Sequence, residues 1–158
     1  MGYTHYFSTK KGRRLNPYLW KQAFVPLVRK IFALAEECGI ELQQTCSEGI
    51  TSYTPERLVP LATNTQVRFN GKESCEDFLL FLDTLLRNSS WFCKTNRLPY
   101  DTVVVAVLIA AEHVFGANFE WSSDGTDDDH AAGRALCDAA MQRLTFPRRK
   151  HKPLKLDV

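Results

Sequence analysis

Polar and apolar positions alternate from the first residues of the chain. In Gly2-Tyr3-Thr4-His5-Tyr6-Phe7 a period of two puts Tyr3, His5 and Phe7 on one side of an extended segment and Thr4 and Tyr6 on the other, which predicts a strand over residues 2–8. A polar stretch then leads to Asn16-Pro17, an N-cap followed by proline at the first helical position. Apolar residues recur at Trp20, Phe24, Leu27, Val28, Ile31, Ala35 and Cys38 before Gly39, so a helix is predicted over about residues 17–38. Pro26 lies inside it and is expected to kink or divide it.

From Ile40 to Asn64 the pattern is irregular, punctuated by Thr54-Pro55 and Val59-Pro60, with a short helical turn expected over Pro55 to Leu61. Thr65 to Asn70 alternates again, Gly71 to Ser74 supplies turn residues, and Cys75 to Phe81 is apolar and aromatic, which together predict a hairpin. Phe78 to Leu86 is an alternative helical stretch. Pro99 opens a segment, Tyr100 to Phe115, that is apolar nearly all round and reads as a buried helix despite its Val103-Val104-Val105 run. Phe119 to Ser123 alternates as a last strand. Asp127-Asp128-Asp129 offers carboxylates at the start of a helix over about residues 130–144.

The resulting order, β-α-β-β-α-β and a final helix, predicts an α+β fold: a small antiparallel sheet with helices on one face, in the order of a ferredoxin-like split βαβ unit, and the other face open. Residues 1–146 are expected to form one domain. The basic stretch 147–158 is expected to be a flexible tail.

Composition narrows the picture in few places. Twenty Lys and Arg against eighteen Asp and Glu leave a net charge of +2, too close to balance for the whole surface to attract nucleic acid or an anionic membrane. Any electrostatic recognition belongs to local patches. No uninterrupted apolar run reaches the roughly 18 residues of a membrane span, and the start lacks the order of a signal peptide, so a cytosolic setting without membrane contact is expected. Five cysteines, Cys38, Cys46, Cys75, Cys93 and Cys137, are odd in number and widely spaced, which indicates neither a disulfide framework nor a zinc site.

Met1-Gly2-Tyr3-Thr4-His5-Tyr6-Phe7, Phe69-Asn70-Gly71, Phe92-Cys93-Lys94-Thr95 with Pro99-Tyr100-Asp101, and Ser123-Asp124-Gly125 together resemble a group of small proteins of tailed bacteriophages and prophages. The resemblance covers nearly the whole chain except Ser47 to Leu61 and the basic tail. It implies a phage or prophage origin and a host-cytoplasmic setting. It also implies a role in modulating the host by binding, for example by blocking a defence system such as CRISPR.

Several residues are candidates for chemistry. If the first strand is central, Tyr3 and His5 share a face, Arg68 and Asn70 are expected to project from a neighbouring strand, and loops would add Lys94, Tyr100, Asp101 and Asp124. Cations, an imidazole, phenols and carboxylates together suit a phosphate or a nucleotide base. The same residues admit a purely structural reading, with Tyr3 and Phe7 in the core, His5 bonded to backbone and Asp101 capping a helix. Cys93 with His5 is a conceivable nucleophile and base, against which stands the tendency of cysteine to be buried. His130 beside Asp127 to Asp129 could hold a divalent ion or belong to a capped helix start. Paired His-x-Thr or His-x-Ser motifs, a glycine-rich phosphate cradle and HExxH are absent, so no cofactor, metal or catalytic residue is assigned.

Two basic clusters, Lys10-Lys11-Gly12-Arg13-Arg14 and Arg148-Arg149-Lys150-His151-Lys152 with Lys155, could contact phosphates. The leading expectation is a non-enzymatic phage protein that binds a host protein or ribonucleoprotein. The alternative is a nucleotide-binding or nucleotide-processing domain using an open sheet face around His5. Nucleic-acid binding through the basic clusters is the third.

Overall fold

The apolar segment opened by Pro99 becomes the central helix. In the computed structural model, which describes residues 2–45, 59–72 and 75–157, it is α4 (Asp101–Phe115), buried from Asp101 through Ala111 and again at Phe115. Its valines favour strand locally, but burial on every side rewards any apolar residue whatever its propensity. By hydropathy and length alone, Asp101–Asn118 is long and apolar enough to cross a membrane; in the fold it is mostly buried as the core helix.

Two further helices enclose α4. The first predicted helix is divided at Pro26: α1 (Pro17–Leu19) leads into a π-helical turn (Trp20–Phe24), then α2 (Val25–Glu37). Pro26 has no N–H and its ring crowds the carbonyl four residues back. A wider turn relieves that crowding, and the Val25 N–H reaches back to Trp20 O. The last helix, α5 (Asp127–Thr145), starts earlier than its acidic cluster suggests, because Thr126 is the N-cap and forms a reciprocal capping box with Asp129. α5 lies close against α4 at Gly133, where a Cβ would stand 2.5 Å from Val105 Cγ1.

The strands form two antiparallel sheets. One is three-stranded, with β1 (Thr4–Thr9) between β6 (Ser90–Lys94) and β7 (Phe119–Ser123). In the other, β4 (Gln66–Gly71) pairs with β2 (Leu42–Gln43), β3 (Leu61–Ala62) and β5 (Phe78–Phe81), and α3 (Leu82–Leu86) follows β5 directly. The expected hairpin is therefore β4 and β5, and its helical alternative is realised only after Phe81. The fold is α+β.

A single ferredoxin-like sheet is not what forms. That order needs the hairpin to sit beside the first strand; here β6, which the sequence pattern did not predict, takes that place. The hairpin's sheet meets the first one along the 75–77 segment, where the Glu76 N–H donates to Lys94 O at 3.3 Å and the Lys94 N–H donates to Glu76 Oε2 at 2.7 Å. A chain of rings, Phe7, Phe78, Phe69 and Phe32, at centroid separations of 5.0–5.3 Å, welds the sheets to α2. Thr54-Pro55, most of the turn expected before Leu61, Cys46 and Ser74 lie outside the described residues. After α5 the basic segment runs back over the helices, with Leu154 and Leu156 partly buried against the core and Cys38 Sγ 3.5 Å from Leu154 O.

Candidate functional site

The two faces of β1 have opposite fates. Tyr3, His5 and Phe7 share the covered face as the alternation predicts, at 5%, 0% and 3% exposure, whereas Tyr6 on the other face is 47% exposed. On the covered side, His5 Nε2 lies 2.6 Å from Asp101 Oδ1, at the first residue of α4, and Thr95 Oγ1 donates to the same oxygen at 2.5 Å. Asp101 thus accepts two short hydrogen bonds. Among the described residues, no hydrogen-bond partner meets the buried His5 Nδ1.

The capping of α5 brings His130 to the same place. Its Nε2 is 3.1 Å from Ser123 Oγ, and its ring lies 6.0 Å from that of His5 and 5.1 Å from that of Trp121. Burial, with His5 nearby, holds His130 below its ordinary imidazole value. Burial raises the Tyr3 phenol, an effect partly offset by the Ser123 hydroxyl. Gly125 is required beside that phenol, since a Cβ there would stand 2.1 Å from the Tyr3 hydroxyl.

Next to this cluster a cleft of about 540 Å³ opens between the 97–102 segment, the first turns of α5 and the C-terminal segment. Tyr3, Thr102, Arg97, Lys155 and the carboxylates of Asp101, Asp128, Asp129 and Asp157 supply its polar lining, and Ala131, Ala132 and Ala135 make one wall smooth. Arg97 stacks on the Tyr3 ring at 4.2 Å and pairs with Asp129. Asp129 is held below the usual carboxylate range by the Thr126 backbone N–H and then by Arg97. The cleft is mixed in charge and suits a small polar ligand.

The opposite face of the same sheet is open to solvent. Tyr6 and Phe92 are direct partners on β1 and β6 and are 47% and 51% exposed. Trp91 pairs with Phe7 and so belongs to the covered side, but on the edge strand it stays 46% exposed, its ring centroid 6.2 Å from that of Phe92. Lys94 lies two residues further along β6, while Ser8, Ser90, Glu120 and Ser122 complete the face. No described element packs over Tyr6 and Phe92.

The residues singled out from the sequence divide accordingly. Tyr3, His5 and Asp101 converge. Arg68 and Asn70 do not join them, because β4 belongs to the other sheet: Arg68 pairs with Asp77 at 3.1 Å, and Asn70 donates to Asp77 at 2.7 Å and to Cys75 O at 2.9 Å. Tyr100 is buried, its hydroxyl donating to Glu76 O at 2.7 Å and its ring lying over Gly71. Asp124 accepts from the Thr4 N–H at 3.0 Å and extends the β1–β7 pairing. Lys94 projects from the open face, away from His5. Lys10, Lys11, Arg13 and Arg14 are exposed in the turn after β1; Arg148, Arg149 and Lys150 are exposed beyond α5, with Arg149 over the Phe146 ring at 4.1 Å.

The geometry corrects two chemical expectations. The open face is not the face of His5, which is sealed behind Asp101. Cys93 sits opposite His5 in register, but its thiol points to Glu76 O and Asp77 O at 3.7 Å, and burial first, then Glu76, pushes it well above the ordinary thiol range. An activated nucleophile requires the reverse shift. Among the described residues no three His, Cys, Asp or Glu side chains are grouped to hold a metal.

Thr95, Arg97, Ser123 and the open-face pair Tyr6 and Phe92 were not candidates from the sequence. Tyr6 was legible as lying opposite His5, but its importance depends on which face is covered. The arrangement defines a class, an α+β protein with a buried polar cluster beside a cleft and an aromatic sheet face in solvent. Compared with known proteins, the chain matches no family model, no curated protein and no solved structure.

Proposed function

We propose that this chain is a phage- or prophage-encoded binding protein that acts without catalysis on a host macromolecule, a protein or ribonucleoprotein of the host cytoplasm, as a counter-defence inhibitor of the anti-CRISPR type. One observation carries the binding part: Tyr6 and Phe92 stand about half exposed, directly opposed on a sheet face that no described element covers. Aromatic side chains in that setting leave apolar area in water, and association recovers it. Serines around the rings provide hydrogen-bonding groups of low conformational cost. The phage origin and counter-defence role rest on the resemblance of the segments quoted above. Of those segments, the ones contributing Tyr3, His5, Thr95, Asp101, Ser123 and Gly125 meet in the buried cluster that holds β1 in place.

The test is affinity capture from host lysate with the wild-type chain and with a Tyr6→Ala, Phe92→Ala double variant. A stoichiometric partner retained by the first and lost by the second is the expected result. Equal retention by both, or no partner, overturns the reading.

The cleft supports a second reading, binding of a nucleotide or a similar small polar ligand beside Tyr3. Its contact residue would be Arg97 on the Tyr3 ring, since His5 is sealed from the cleft. Nucleotides would then raise the melting temperature of the wild-type chain and not of Arg97→Ala; no shift with any nucleotide rejects it.

A further inference from the structure

We infer that the partner held on the open face of the β6-β1-β7 sheet is single-stranded nucleic acid, with bases stacked on Tyr6 and Phe92 and phosphates carried by Lys94 and the Lys10–Arg14 turn. The inference rests on the reading of this face as the binding surface and names the chemistry of what binds there.

Position is the first argument. Tyr6 and Phe92 are directly opposed on adjacent antiparallel strands, so their side chains leave the sheet side by side, about 5 Å apart at Cβ. Trp91, on the Phe7 side of the edge strand, lies against Phe92 with ring planes 22° apart and leaves the platform to Tyr6 and Phe92. Neighbouring flat rings on an open sheet give successive bases a stacking platform, and every base has a face to stack whatever its identity. A duplex hides those faces and gains nothing from such a platform.

Charge is the second argument. Lys94 lies opposite Thr4 at one end of β1, and Lys10 and Lys11 follow Thr9 at the other end. Six residues of strand separate the two ends, about 20 Å at roughly 3.3 Å per residue, the reach of a short oligonucleotide. The Lys94 side chain folds over Gly2, where a Cβ would stand 1.9 Å from its Cε, and not toward a carboxylate. None of Lys94, Lys10, Lys11, Arg13 and Arg14 makes an ion pair among the described residues, a property they share with Lys21, Lys30, Arg134 and the cations beyond α5.

Exposed carboxylates also border the face: Glu120 opposite Ser8 and Asp124 bonded to the Thr4 N–H on the β7 side, and Glu76, which accepts from the Lys94 N–H, at the edge of β6. They repel phosphate, so the strand runs over β1 and β6 with its main charge contact at the Lys10–Arg14 turn. A basic turn at one end of an aromatic pair, with Lys94 at the other, suits a polyanion with planar bases, as in the nucleic-acid part of a ribonucleoprotein.

The experiment is fluorescence anisotropy of the full chain with labelled single-stranded DNA and RNA of about twelve nucleotides and with the corresponding duplex. Saturable binding of a single strand, tighter than of the duplex, is expected. Tyr6→Ala and Phe92→Ala each weaken it roughly fivefold to a hundredfold. Lys10→Gln with Lys11→Gln lowers the slope of log affinity against log salt by about 0.7 for each phosphate that is no longer neutralised, and Glu120→Gln strengthens binding. Thermal melts confirm that these variants fold, as their exposure predicts.

Absence of single-strand binding, equal affinity for the duplex, or aromatic variants that bind as wild type each overturns the inference. Repeating the lysate capture with nuclease present separates the two levels. A partner still lost by the Tyr6→Ala, Phe92→Ala variant, with no oligonucleotide binding, keeps the binding face and rejects nucleic acid. Loss of both signals rejects the face as well.

Discussion

Asp101 does more than a helix-starting carboxylate usually does. It is the first residue of α4, yet its Oδ1 accepts from both His5 Nε2 and Thr95 Oγ1 inside the fold, tying a helix, a strand and the 95–100 turn together. Removing it leaves a buried imidazole nitrogen and a buried hydroxyl without acceptors. We expect Asp101→Ala to cost about 2–3 kcal/mol in urea denaturation and Thr95→Val about 1 kcal/mol. His130 adds a pH dependence. Its folded value is held below the ordinary 6.5 by burial and by His5, so the unfolded chain takes up that proton first. The stability linked to neutral His130 is therefore full above about pH 6.5 and declines as pH falls from there through the lower folded value. Urea midpoints at pH 7.5 and 5.5 check this, because His130→Gln is expected to flatten the difference.

At the scale of elements, the approach of α5 to α4 depends on one position. Gly133 faces Val105 and Thr102 O, and an added Cβ would meet them at 2.5 Å and 3.0 Å. Alanine is the better helix former, so propensity alone would make Gly133→Ala stabilising by about 1 kcal/mol. Packing reverses the sign: we expect a loss of about 1–3 kcal/mol, read as a lower melting temperature, because neither the Val105 branch nor the backbone carbonyl can yield cheaply. The helices were legible because their signals are local: Asn16-Pro17, Pro26, Pro99 and the acidic run before His130 each act within a turn or two of the chain. β6 was not. In Ser90-Trp91-Phe92-Cys93-Lys94 apolar residues fall on both faces, Trp91 and Cys93 on one and Phe92 on the other, and only Cys93 is buried, so no polar-apolar alternation marks the strand. Pairing with β1 makes it a strand, and that partner is more than eighty residues away.

For the whole molecule, the asymmetry of β1 gives the clearest check of how the sheet sits. Phe7→Ala is expected to cost about 3–5 kcal/mol, whereas Phe92→Ala on the open face stays within about 0.5 kcal/mol, measured as urea midpoints on the same chain. If both variants lose similar stability, the face described as open is covered. Period-two alternation from Tyr3 to Phe7, the N-cap and proline signals, the buried helix after Pro99 and the hairpin around Gly71 were determined by the sequence itself, since each follows from sterics and periodicity over a few residues. It also determined that His5 and Tyr6 face opposite ways. Only the tertiary structure decided which of them meets solvent, that β6 and not the hairpin flanks β1, and that Asp101, Thr95, Ser123 and His130 gather around His5. Those outcomes depend on which distant surfaces bury each other, a choice made by packing the whole chain at once.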